Sequence, residues 1–238
     1  MCIRDRNEIA PDVVFAMEYN PTILRAVHWC RKKKIPFISW TDGTLNSEKN
    51  IGKVQRLSRS YIIKRAAAFI ASSTASREAQ IAYGADEKKC FISYLTVDIQ
   101  KYLYEKPQKT TQNEGLQLLY VGSLIQRKGL DLLLPALAKT PQNIRLWIVG
   151  EGQEKDLLQK QCTELKISDR VEFLGYQEGE PLQKLYRTAD AFVLPTREDC
   201  FGLVLLEAMC ASLPIISSKY ADGARDLVSD CLLYTSPS

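Results

Sequence analysis

Short apolar runs alternate along the chain with longer stretches whose apolar positions recur every three or four residues. In the first half, residues 13–17, 36–40, 67–72 and 90–94 read as strands, with helical patterns at 21–34, 48–65 and 74–83 between them. In the second half the strands are 117–121, 145–149, 171–174, 191–194 and 214–217, and helices are predicted near 129–139, 153–165, 181–188 and 202–211. Near-continuous apolar strands separated by helices predict an α/β fold with parallel sheets, in two Rossmann-like halves. The polar stretch 105–115 reads as a linker, which divides the chain into domains at 7–104 and 116–230, the first lacking its opening strands. Pro135 falls inside a predicted helix and is expected to kink or shorten it.

Composition narrows the function classes. Of 238 residues, 45% are hydrophobic and 25% charged, which is globular rather than disordered. A net charge of +4 does not point to nucleic acid, and no nucleic-acid partner is expected. Seven cysteines without a C-x-x-C pair and a single histidine disfavour a disulfide scaffold or a zinc site, so a reducing cytoplasm is the default. No run approaches the roughly eighteen apolar residues of a membrane span, and no signal peptide is expected at the start. The ends carry a separate signal. Met1 to Arg6 can be encoded by ATGTGTATAAGAGACAG plus one base, and the reverse complement in another frame gives Cys231 to Ser236. Residues 1–6 and 231–238 therefore read as ends derived from a sequencing adapter, the latter continuing through Pro237 and Ser238, and the native chain as a fragment.

In open α/β sheets, ligands bind beyond the carboxyl ends of the strands, where helix N-termini offer free N–H groups to anions. Three junctions in the second half carry suitable residues. Val121-Gly122-Ser123-Leu124-Ile125-Gln126-Arg127-Lys128-Gly129 is a strand, a glycine turn and two cations at a helix start, which suits a phosphate or simply a solvated loop. Val149-Gly150-Glu151-Gly152 fails as a dinucleotide fingerprint, because Lys155 stands where a third glycine belongs; a tight turn is the plainer use. The third junction, 195–209, places Asp199 and Glu207 with seven residues between them, the later acid inside an apolar helix. Glu207 either faces a polar ligand or lies on an exposed stripe.

Together LLYVGSLIQRKGLDLLLPALA, LWIVGEGQEKDLLQ, VEFLGY, LYRTADAFVLPT and EDCFGLVLLEAMCASLPIIS resemble, in order and spacing, the family 4 glycosyltransferases. That resemblance implies a retaining, nucleotide-sugar-dependent enzyme of the GT-B fold, with 7–104 a partial acceptor-side domain and 116–230 the nucleotide-sugar domain. It implies no metal or other cofactor. By position, Lys128 is similar to the lysine that binds the donor diphosphate, Glu207 to the acid that accepts from the ribose hydroxyls, and Asp199 to the acid that positions the transferred sugar. Gly122, Ser123, Arg127, Gly150, Phe201, Gly202 and Leu203 complete the implied donor site, the N–H groups of Phe201 and Gly202 facing sugar and phosphate.

Three departures stand out. Ser123 replaces the family's arginine, which removes a phosphate contact unless Arg127 supplies it. The acceptor-side His-Asp pair matches Thr41-Asp42, so Asp42 is kept as a catalytic candidate without its histidine, and His28 reads as structural. The acceptor domain's opening glycine-rich loop has no counterpart. One further stretch, 49–65, reads as a helix with Lys49, Lys53, Arg56 and Lys64 on one stripe and Ile51, Val54, Leu57, Tyr61 and Ile62 opposite. It suits either a solvated face over a buried stripe or peripheral contact with an anionic membrane at its inner face. The expected reaction moves a hexose from a nucleotide-sugar donor to a saccharide or lipid-linked acceptor. The alternatives are a nucleotide-sugar-binding protein without turnover and a GT-B sugar-nucleotide epimerase.

Overall fold

The computed structural model describes residues 10–103 and 115–228. The adapter-like ends and nearly all of the linker stretch fall outside them. The chain forms two compact units, Met1–Leu95 and Thr96–Ser238.

The first unit is a four-stranded parallel sheet in the order β1 (Val14–Met17), β2 (Phe37–Thr41), β3 (Ala68–Ala71) and β4 (Cys90–Ile92). Helices α1 (Pro21–Lys33), α2 (Lys53–Ile63) and α3 (Thr74–Ala82) connect the strands. Helix α1 starts where Asn20 accepts from the Ile23 N–H and Pro21 presets the first turn; it ends on three cations that complement its carbonyl dipole. Phe37, Val27 and Ile62 fill one core cluster, and Phe69 and Ile63 a second.

Helix α2 begins at Lys53 rather than near 48. Thr44 and Ser47 exchange side-chain and backbone hydrogen bonds in a turn of their own, and Gly52 caps the helix, its N–H held by the Gln55 carboxamide. Lys49 is therefore not on the helix. The expected apolar stripe is also only half buried: Ile62 and Ile63 enter the core, but Val54 and Leu57 are 80% and 70% exposed. His28 is likewise exposed on α1 and is not a core residue.

The second unit opens with α4 (Ile99–Tyr102), a single turn that the sequence pattern does not show, ahead of where the linker was expected. Its sheet is also fully parallel, in the order β7 (Val171–Gly175), β6 (Ile144–Val149), β5 (Leu116–Val121), β8 (Ala191–Leu194) and β9 (Ile215–Ser217). The helices are α5 (Leu130–Ala138), α6 (Lys155–Glu164), α7 (Gly179–Thr188), α8 (Leu203–Cys210) and the short α9 (Ala224–Leu227). The order in which strands are added reverses between β5 and β8, and such a break in strand order opens a crevice at the strands' carboxyl ends. Among the described residues no helix is long and apolar enough to cross a membrane.

Pro135 sits inside α5 without ending it. A proline lacks the N–H that would bond the carbonyl four residues back. That carbonyl, on Asp131, accepts instead from the Gln161 carboxamide of α6 at 3.1 Å. At the opposite end of α5, the buried Arg170 spends its guanidinium on backbone: Nε donates to Ile144 O, and Nη2 to the carbonyls of Leu137 and Pro141 and to Thr140 Oγ1. Arg170→Leu removes these four bonds together and should lower unfolding free energy by about 3 kcal/mol or more, against about 1 kcal/mol for Gln161→Leu. Urea titrations of the two variants check the ranking.

Candidate functional site

Two loops cross the break between β5 and β8, and they lie backbone against backbone. Gly129 ends the first loop at φ +72°, and a Cβ there would stand 2.1 Å from the Pro195 carbonyl oxygen of the second. Hydrogen bonds seam the approach. Arg197 N and Thr196 Oγ1 donate to Arg127 O, Arg127 Nη1 returns a bond to Glu198 O at 2.8 Å, and Arg197 Nη1 reaches Gln126 O at 2.7 Å. The Arg197 guanidinium also grips the Asp131 carboxylate at 2.6 and 2.7 Å, which holds that carboxyl below its ordinary range. Arg127 is thus engaged in joining the loops through its Nη1.

The loop after β6 joins from the other side. Gly150 has φ +135°, and its missing Cβ leaves room for the Gly122 carbonyl oxygen, which would otherwise be 2.0 Å away. Leu124 N donates to Glu151 O and Glu154 N to Leu124 O. Gly150 therefore serves close packing of two turns, in keeping with the plain tight-turn reading. Ser123 is exposed at the tip of the first loop.

Within this frame Lys128 Nζ meets Asp199 Oδ2 at 2.5 Å, both side chains largely shielded from solvent. The backbone of Asp199 is held in turn: its N–H donates to Tyr220 O, and its carbonyl accepts from Asp222 N. Tyr120 packs beneath, its hydroxyl bonded to Ser123 O and pushed up in pKa by burial and then by the charge of Asp199. The neighbouring Phe201 is buried, and Gly202, at φ +75°, turns the chain into α8 with no side chain capping that helix. The uncapped N-terminus, with Leu203 its first residue, directs N–H groups outward.

Glu207 lies on α8 and is neither on an exposed stripe nor isolated. Its Oε2 accepts from the Tyr186 hydroxyl at 2.7 Å. Tyr186 is fully buried at the end of α7, and burial, reinforced by the Glu207 charge, keeps its phenol well above its usual pKa. Periodicity could not reveal this partner, which comes from another helix.

Asp42 belongs to the first unit, just past the carboxyl end of β2, and its carbonyl accepts from Ser76 Oγ at 2.8 Å. Thr41, where the resembled family has histidine, is buried, and its hydroxyl accepts from Gly43 N. The predicted residues from Gly122 to Leu203 thus lie on the loops and helix start at one sheet end, Glu207 lies further along α8 against Tyr186, and Asp42 is in the other unit.

The family described as "Glycosyl transferases group 1" matches residues 104–231, more than half of the chain. The chain belongs to this family. Among relatives of this glycosyl transferase group, an uncharacterized glycosyltransferase of Methanocaldococcus jannaschii is 38% identical over 110 residues, 45% of this chain and 28% of its own. The lipopolysaccharide 1,6-galactosyltransferase of Salmonella typhimurium is 27% identical over 96% of this chain and 62% of its own. The solved apo structure of the lipopolysaccharide outer core galactosyltransferase WaaB superposes with a TM-score of 0.80 at 27% identity, covering 98% of this chain and 64% of that one. Anabaena HepE in complex with UDP gives 0.83 at 22% identity, over 99% of this chain and 68% of that one, which shows the shared GT-B fold. The chain spans between 21% and 62% of the lengths of the curated relatives it matches.

The seam between the loops makes a stability test. Gly129→Ala meets the Pro195 carbonyl and a left-handed backbone together, whereas Gly179→Ala, at φ +60° with open space around it, meets only the second. Gly179→Ala should cost about 1 kcal/mol and Gly129→Ala at least twice that, as read from urea midpoints.

Proposed function

We propose that the protein is a retaining hexosyltransferase that uses a nucleotide-sugar donor. The observation that carries this reading is the gathering of a cation, two acids and an uncapped helix N-terminus at the strand-order break of one Rossmann-like sheet. Lys128 and the N–H groups at Phe201, Gly202 and Leu203 bind the diphosphate, and the Glu207 carboxylate accepts from the ribose diol. Asp199 positions the transferred sugar. As the bond from the anomeric carbon to the diphosphate breaks, the leaving oxygen takes the electron pair, and Lys128 with the helix N-terminus offsets the charge that grows there. The acceptor hydroxyl oxygen forms the new bond to the anomeric carbon on the face the diphosphate leaves, and its proton passes to the departing diphosphate oxygen. This assignment calls for no metal. Gly122, Ser123 and Gly150 contribute close backbone rather than side chains, and Asp42 is assigned to the acceptor side. HepE with UDP supports the donor class, and the lipopolysaccharide and glycogen enzymes among the relatives support a saccharide or lipid-linked acceptor. Binding without turnover is the second reading, favoured by Thr41, whose hydroxyl cannot act as the missing histidine would. Product formation from a panel of nucleotide sugars separates the two.

Calorimetry on the full chain should show UDP, GDP or ADP binding that Lys128→Met weakens at least tenfold, about the loss of one charge-assisted contact. Glu198→Gln should change little, because Glu198 lends the site its carbonyl. Absence of heat for all three nucleotides at millimolar concentration would sink the proposal.

We also propose that the first unit contacts an anionic membrane surface. Helices α1 and α2 flank a groove of about 710 Å³ with Leu24, Trp29, Val54 and Leu57 in its lining and Arg25 and Lys32 on it. Residues 19–41 and 49–77 contain no acid at all. Exposed apolar side chains ringed by cations match anionic headgroups over acyl chains. The protein should co-sediment with phosphatidylglycerol vesicles and not with phosphatidylcholine, and Leu57→Asp should reduce that binding several-fold; equal recovery with both lipids would refute the contact.

A further inference from the structure

The Glu207 carboxylate is held by aromatic side chains that no part of the donor assignment uses. Tyr186 donates to its Oε2 at 2.7 Å, and the Tyr186 ring cannot turn aside. It stacks on Phe192 of β8 at 5.9 Å and meets Tyr102 edge to face at 5.6 Å and 90°. Tyr102 comes from α4, which packs on both α7 and α8. Its own phenol is pushed up to about 12 by burial and then by the charge of Glu207. A phenol from α7 thus bonds a carboxylate of α8, and a second tyrosine, from α4, packs against that phenol's ring. A free glutamate side chain has several rotamers to lose on gripping a diol, and a carboxylate fixed beforehand loses fewer.

We infer that Tyr186 and Tyr102 are positioning residues that fix Glu207 for the ribose of a nucleoside diphosphate. Part of the ribose subsite then comes from a residue ahead of the family-matched segment 104–231. The inference rests on reading Glu207 as the ribose acid, and its test separates the two. The readout is the ratio of affinities for UDP and 2′,3′-dideoxy-UDP, measured on the full chain, because a general structural loss weakens both ligands and leaves the ratio alone. The unaltered protein should prefer UDP about tenfold, and Glu207→Ala should abolish the preference. Tyr186→Phe, which removes one oxygen and keeps the ring, should cut it to about two- or threefold, and Tyr102→Phe should give an intermediate value. A full preference in Tyr186→Phe alongside its loss in Glu207→Ala would overturn the positioning role and leave the ribose reading standing. Full preference in Tyr102→Phe would remove Tyr102 from the pair. A full preference in Glu207→Ala, or none in the unaltered protein, would overturn the ribose reading and the inference with it.

Discussion

The site rests on one close approach: the backbone of the loop after β5 lying directly on the backbone of the loop after β8. A side chain at Gly129 would separate them, since its Cβ would fall 2.1 Å from the Pro195 oxygen. With that atom absent, the two loops share hydrogen bonds through Thr196, Arg197 and Arg127, and Lys128 comes within reach of Asp199. The strand-order break supplies the place, and the contact at Gly129 supplies the spacing. The cation and the acid are then held by structure that neither of them forms.

Charge on these loops is divided between support and chemistry. Arg197 is committed to Asp131, and Arg127 to the Glu198 carbonyl. Both guanidiniums make the flat, directional contacts for which arginine suits backbone and carboxylate. Lys128 carries a compact ammonium paired with the Asp199 carboxylate, and an ammonium can exchange one anion for another with little rearrangement. The same separation holds at Glu207, where the buried phenol of Tyr186 supplies fixed geometry and the carboxylate supplies charge.

Most of the fold was legible in the sequence, because parallel strands covered on both faces are continuous apolar runs. Strand 191–194 was read to the residue, and most other strands to within a residue or two. The misses have local causes. Four residues at Ile99–Tyr102 are too few for a helical period to register, and Gly52 with the Thr44–Ser47 turn delays α2. The half-exposure of the α2 stripe depends on what lies across from Val54 and Leu57, which periodicity does not encode. Motif spacing singled out Lys128 and Asp199, which pair, and Glu207, which lies on the helix that follows. It could not show that Arg127 faces the neighbouring loop or that Glu207 pairs with Tyr186, since both partners arrive through tertiary packing.

The pairing of β5 with β8 also has a cost in chain entropy. The bond from Gln117 N to Asp190 Oδ2 ties residues 73 positions apart, and the Lys128–Asp199 pair spans 71. For a bare chain, closing a loop of that length costs on the order of 4 kcal/mol, more than the few contacts across the seam return individually. The intervening β6, α6, β7 and α7 shorten the effective loop only once they have packed. The geometry of the site is therefore a late product of folding: a partly assembled second unit can hold β5, β6 and β7 in register and still have no site at all.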